Sequence, residues 1–261
     1  MAKSYLRKWR ARLQPASEFP NVEIMNGTKK LLVGLGAAGI ALLVIIVAFV
    51  ALRGDGPEEL VLGDRANDTE EAVEEGAAEV VAPEDIDIEG AWTLTGDSVA
   101  GYRVVEDFVS GLSDFEAVGR TSEITGDLTI EGTTVSVAAF SVDVASITSD
   151  DGMRDNQFRG PIMNADEFPT AEFVLTSPID LGDDPGSGEI ITVEAAGELT
   201  LRDATVDVVF PLEASLVGAE VQVAGAIDVL FSDYGIDNPS NPFVSVRDEG
   251  VVEFSLFFEQ S

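Results

Sequence analysis

An uninterrupted apolar run from Leu31 to Leu52, LLVGLGAAGIALLVIIVAFVAL, divides the chain into a short basic segment and a long acidic one. Its 22 residues, at ~1.5 Å per residue, span roughly 33 Å as a helix, enough to cross a bilayer core of ~30 Å. No charge interrupts the run, so the sequence predicts one transmembrane helix over 31–52. Ahead of it stand Lys3, Arg7, Lys8, Arg10, Arg12, Lys29 and Lys30 against Glu18 and Glu23. Basic residues at a membrane edge stay on the cytoplasmic side, which places the N-terminus inside and the bulk of the chain outside the cell membrane. A cleaved signal peptide is the alternative. Against it, the run is longer than a usual signal core, and the best cleavage position, after Ala51, sets bulky Phe49 where a small residue is wanted.

The acidic excess belongs to the part after the run. It carries 46 of the 48 acidic residues and 8 of the 15 basic ones, a net charge of −38, with no lysine beyond Lys30. Such a field repels nucleic acid and bare anionic lipid, and the self-repulsion it creates is relieved by salt. Cysteine and histidine are both absent. That removes disulfides, His general bases, Ser-His and Cys-His nucleophile pairs, and His- or Cys-ligated metal sites. Carboxylates, a few arginines and hydroxyls are a thin set for catalysis, and the expectation is a protein without enzyme activity or cofactor.

Residues 53–90 hold 14 acidic and 2 basic residues, no aromatics, and Gly and Pro punctuation. Such a stretch buries too little apolar surface to offset the entropy of ordering, and it reads as an extended linker. From Ala91 the period becomes two. In 123–131 Ile124, Leu128 and Ile130 share one face. In 190–201 Ile191, Val193, Ala195, Leu199 and Leu201 do. In 205–216 the face is Val206, Val208, Phe210, Leu212 and Leu216, and in 221–231 it is Val221, Val223, Ile227, Val229 and Phe231. The last strand, 251–259, contributes Val252, Phe254, Leu256 and Phe258 and puts Glu253 on the wet face. Repeated alternation means antiparallel strands with one dry side. Short turns at Glu131-Gly132, Arg202-Asp203 and Val217-Gly218 make a meander, which closes into a barrel or folds into a sandwich. The 171 residues of 91–261 are enough for one such core.

Residues 146–173, SITSDDGMRDNQFRGPIMNADEFPTAEF, break the alternation. A short helix is expected within 150–158, and in a barrel the insert lies over one mouth as a lid. Asp150, Asp151 and Asp155 lack the spacing and closing Glu of a calcium loop.

Several of these stretches resemble the YceI-like family, the polyisoprenoid-binding, lipocalin-like domains of bacteria. The resemblance runs from AWTLTGDSVAGYRV (91–104) through GDLTIEG (126–132) and VASITSDDGMRDNQFRGPIMNADEFPTAEF (144–173) to GELTLRDAT (197–205) and FSDYGID (231–237). It covers nearly all of 91–258, and the 144–173 motif is its specific part. The family's His-Ser pair after the first strand is missing here. Phe231 stands where the family tends to place an arginine. The resemblance implies an all-β, eight-stranded antiparallel barrel around a long apolar tunnel that holds a polyisoprenoid or similar lipid. With the inner-face pattern, it makes Phe140, Phe158, Phe173, Val193 and Val208 candidate lining residues, together with Phe210, Val229, Phe231, Phe254 and Leu256. Arg154 and Tyr234 are candidates for the polar end of a ligand.

The chain is therefore expected to be a single-pass membrane protein with segments 1–30, 31–52, 53–90 and 91–261, its barrel an extracytoplasmic lipid-binding module. The rival reading is a structural barrel with a packed interior and an acidic partner-binding surface, and homodimerisation is open under either. Protease added to intact spheroplasts should remove 91–261 and spare the N-terminal segment. Protection of the C-terminal part until lysis would reverse the orientation.

Overall fold

The alternating segments become strands of a single antiparallel sheet. A computed structural model describes residues 57–66, 87–111, 113–183, 185–217 and 219–261. The basic segment, the expected transmembrane helix, and residues 53–56 and 67–86 lie outside the described residues. The strands are β1 (Gly90–Leu94), β2 (Val99–Phe108), β3 (Phe115–Thr121), β4 (Ile124–Glu131), β5 (Thr134–Asp143) and β6 (Thr148–Ser149). They continue with β7 (Thr170–Leu175), β8 (Ile179–Asp180), β9 (Ile191–Leu201), β10 (Ala204–Val217), β11 (Glu220–Leu230) and β12 (Val244–Gln260). Among the described residues no helix is long and apolar enough to cross a membrane.

Eight strands form a closed circuit in the order β1-β4-β5-β7-β9-β10-β11-β12. Closure comes from the last strand meeting the first, with Trp92 opposite Gln260, Thr93 opposite Glu259 and Leu94 opposite Phe258. The remaining edge of β12 carries β2 from Val244↔Phe108 to Ser255↔Val99, and β2 in turn carries β3. The sequence pattern places the last strand at 251–259, whereas β12 begins at Val244. Its first part was hidden because the register against β2 shifts between Val246 and Gly250, which breaks the alternation across Arg247-Asp248-Glu249. A bulge of this kind bends a strand and lets one long element serve two neighbours.

The inner faces meet in one core. Trp92, Leu199, Ile227, Phe254 and Leu256 are each at most 2% exposed. Trp92 also satisfies its ring nitrogen by donating to the Ile88 carbonyl at 2.9 Å. The insert between β6 and β7 holds the expected short helix, α1 (Gly152–Gln157). The Asp151 carboxylate caps it by accepting from the Met153 amide at 2.8 Å. A π-type turn over Phe158–Ile162 follows directly.

Two outward features depart from the alternation rule. Glu253 is 2% exposed, although its position puts it on the wet face. Its carboxylate bridges two arginines of the neighbouring strands, Arg103 Nε at 3.2 Å and Arg120 Nε at 2.9 Å. Arg103 also donates to Glu116 at 2.6 Å and to the Pro57 carbonyl at 2.8 Å. Phe257, also outward, is 0% exposed, with the Arg65 guanidinium 4.2 Å above its ring.

Both effects have one cause. Residues 57–66, part of the stretch read from composition as extended linker, lie along the outside of β12. The Glu58 carbonyl accepts from Arg120, and Arg65 pairs with Glu220 at 2.7 Å and with Asp97 at 2.5 Å. The Ala66 amide donates to the Asp97 carbonyl at 2.9 Å. This strap removes the Phe257 ring from water, which contributes about 2–3 kcal/mol of transfer free energy. It also turns a surface carboxylate into a buried one.

Breaking a buried ion pair from one side leaves the other charges without compensation. Glu253→Gln is expected to destabilise by about 3–5 kcal/mol, while Glu259→Gln, exposed six residues further along the same face of β12, should change stability by less than about 0.5 kcal/mol. Chemical denaturation of both variants checks this. Equal, small effects would mean the Arg103–Glu253–Arg120 cluster is not desolvated.

Candidate functional site

A cavity lies inside the barrel, with a free volume of about 100 Å³. It occupies the half formed by the ends of β4, β7, β10 and β12 and the starts of β5, β9 and β11. It extends to the loop after β8 at Leu181 and Pro185 and to Ile88 ahead of β1. Of its lining residues only Asp127 and Ser215 are polar, and both stand at outward positions, next to inward Leu128 and Ala214. The inner wall is therefore hydrocarbon, and no basic residue lines it. Such a surface gains by covering apolar ligand area and offers no charge to a phosphate or carboxylate.

Four phenylalanines form the inner limit of this space. Phe140 of β5 stacks on Phe173 of β7 at 5.4 Å between ring centroids. Phe173 meets Phe210 of β10 edge-on at 5.5 Å. Phe210 meets Phe254 of β12 at 6.0 Å, and Phe254 returns to Phe140 at 5.5 Å. All are within the range in which aromatic quadrupoles attract. Two of the rings sit over glycines. A Cβ on Gly197 would lie 2.4 Å from Phe173, and one on Gly225 would lie 2.7 Å from Phe254. Glycine is required there because the ring fills the place where a side chain would stand.

The structure divides the candidate lining residues between two ends. Phe140, Phe173, Val193, Phe210, Phe254 and Leu256 line the cavity. Phe158, Val208, Val229 and Phe231 do not border it. Phe158 instead stacks on Tyr102 at 4.5 Å and helps close the opposite end with the 152–162 insert. The expected lid thus covers the end away from this cavity. The mouth residues Ile88, Leu181 and Pro185 escaped sequence reading because irregular segments carry no period. The resemblance implies a long tunnel, and this cavity lies in one half of the barrel.

Arg154 and Tyr234, the candidates for a polar ligand end, also lie away from the cavity. Arg154 pairs with Asp150 at 2.5 Å and with Glu106 at 3.6 Å. Burial lowers the affinity of its guanidinium for the proton, and Glu106 with Asp150 more than reverses that. Burial pushes the Tyr102 phenol up to about 12, opposed by Arg154. Tyr234 is 2% exposed and its hydroxyl has no hydrogen-bond partner among the described residues. Burial, helped by Asp233, pushes that phenol up to about 12 as well. Asp155 accepts from the Ser149 amide at 2.8 Å and from its hydroxyl at 2.7 Å, so these groups hold the insert in place. Among the described residues no group of three or more acidic side chains is placed to hold a metal ion.

Residues 108–258, more than half of the chain, match the YceI-like domain. The chain belongs to the YceI-like family. No curated protein matches it. Among solved structures it is similar to a polyisoprenoid binding domain from Saccharophagus degradans implicated in plant cell wall breakdown, with a TM-score of 0.54 and 18% identity. That match covers 66% of this chain and 100% of the other, and it supports the barrel fold. BcnA of Burkholderia cenocepacia follows with a TM-score of 0.47, 20% identity, and coverage of 60% and 95%. A Campylobacter jejuni YCEI protein gives 0.44 and 11%, with coverage of 74% and 99%.

Glu106 faces the closed end beside Arg154. Burial raises its carboxyl pKa, with Arg154 opposing. A carboxyl whose pKa is higher folded than unfolded disfavours folding when charged. Its cost is present at neutral pH and disappears as pH falls through the folded pKa to the unfolded one. Glu106→Gln is expected to melt at or above the wild-type temperature at pH 7, with the difference closing toward about pH 4. A variant less stable at neutral pH would show that the Arg154 pairing outweighs burial.

Proposed function

We propose that this YceI-like barrel binds the apolar chain of a lipid in the cavity between Phe254 and the loop after β8. The observation that carries the reading is the wall itself: free space inside a closed barrel, lined by hydrocarbon on every inward position. The polyisoprenoid-binding domain of Saccharophagus degradans, of the same fold, supports an isoprenoid as the lipid. Each methylene moved from water into such a space contributes ~0.8 kcal/mol. In this proposal the apolar run 31–52 anchors the chain in the cell membrane, the barrel stands on the extracytoplasmic side, and the tether keeps it near the bilayer that supplies the lipid. The reaction is binding, without catalysis.

A second reading has one observation in its favour. A cavity of about 100 Å³ is smaller than the ~150 Å³ space that accepts a benzene ring. In that reading the barrel is a structural module whose acidic exterior meets a cationic partner. Val193→Trp separates the two. It points into the cavity, so a variant that folds normally but no longer co-purifies with lipid, or no longer takes up a fluorescent isoprenoid, supports lipid binding. Loss of about 1–3 kcal/mol from overpacking, with wild type never carrying lipid, supports the packed module.

A further inference from the structure

The four phenylalanines do more than line the cavity. Their contacts run Phe140, Phe173, Phe210, Phe254 and back to Phe140, a closed circuit that crosses the barrel interior from wall to wall. Rings at these separations touch, so no chain threads between them unless one turns away. Two cannot turn easily. Phe173 and Phe254 are 4% and 2% exposed and are seated against the bare backbone of Gly197 and Gly225. Beyond the circuit the interior is filled by Leu199, Ile227 and the Tyr102–Phe158 stack. The cavity lies on one side of the circuit. Phe140, half-buried, is the member with most freedom.

We propose that the ring of Phe140, Phe173, Phe210 and Phe254 is a stop that sets how much of an apolar chain this barrel takes. The site then accepts a short chain, or the terminal portion of a long one, inserted tail-first from the loop after β8 until it meets the ring. Length beyond that stays outside the mouth. With hydrocarbon walls and no basic lining residue, the barrel selects by tail length rather than by an anionic head. This inference rests on the lipid-binding reading above.

The test is affinity against chain length. The purified, delipidated full chain is titrated with a homologous series of straight-chain primary alcohols, and affinity is read by isothermal titration calorimetry. Wild type should gain about fourfold in affinity per added methylene and then stop gaining at a fixed length, where the tail reaches the ring. Phe140→Ala should move that break to longer chains. Phe140→Leu, which keeps the position apolar, serves where the alanine variant fails to fold, and should move it in the same direction. Phe158→Leu, at the closed end, should leave it where it was. An affinity that keeps rising with length in wild type overturns the stop and leaves lipid binding standing. A break that stays fixed in well-folded Phe140 variants, or that moves equally in Phe158→Leu, also overturns it. Absence of binding for every alcohol removes the lipid reading, and the stop with it.

Discussion

The structure depends on one strand meeting three others. β12 pairs with β11 along one edge and with β2 and β1 in succession along the other. Without that second edge the sheet would be an open meander with an apolar face and unpaired backbone groups at both sides. Closure satisfies those groups and gives every inward side chain neighbours across the interior. A bulge after Val246 bends β12 within its pairing to β2, and the handover to β1 follows between Ser255 and Phe258.

The same strand organises the outside. Its outward residues Glu253, Ser255 and Phe257 are at most 2% exposed, an unusual set for the wet face of a barrel. An acidic domain with six arginines after Ala91 places two of them, Arg103 and Arg120, on this one carboxylate. The strap of residues 57–66 then seals the cluster with backbone carbonyls and Arg65. Buried charges of this kind specify an arrangement more than they stabilise it, because replacing one partner leaves the others stranded.

Inside, the inward positions of the barrel serve two purposes. One half packs aliphatic and aromatic groups around the Tyr102–Phe158 stack. The other leaves a hydrocarbon-walled space, and the phenylalanine circuit separates them. A barrel of eight strands is just wide enough for its own side chains to fill it. Whether it holds a ligand is then a matter of a few large residues, here four, rather than of strand number or tilt.

Much of the architecture was legible in the chain. Period-two alternation marks β4, β9, β10 and β11 to within about a residue, because an inward position must be apolar whatever lies opposite. Absence of histidine and cysteine excludes whole chemistries, and the 144–173 motif points to the family. Other features were decided only by tertiary structure. Nothing in the spacing of Phe140, Phe173, Phe210 and Phe254 says that they meet, since they come from four strands brought together by closure. Val208, Val229 and Phe231 obey the same pattern and do not border the cavity. Glu253 reads as solvent-facing until a distant segment covers it. Alternation reports which face a residue takes. Where along the barrel it sits, and what crosses the space in front of it, depends on register between strands far apart in sequence.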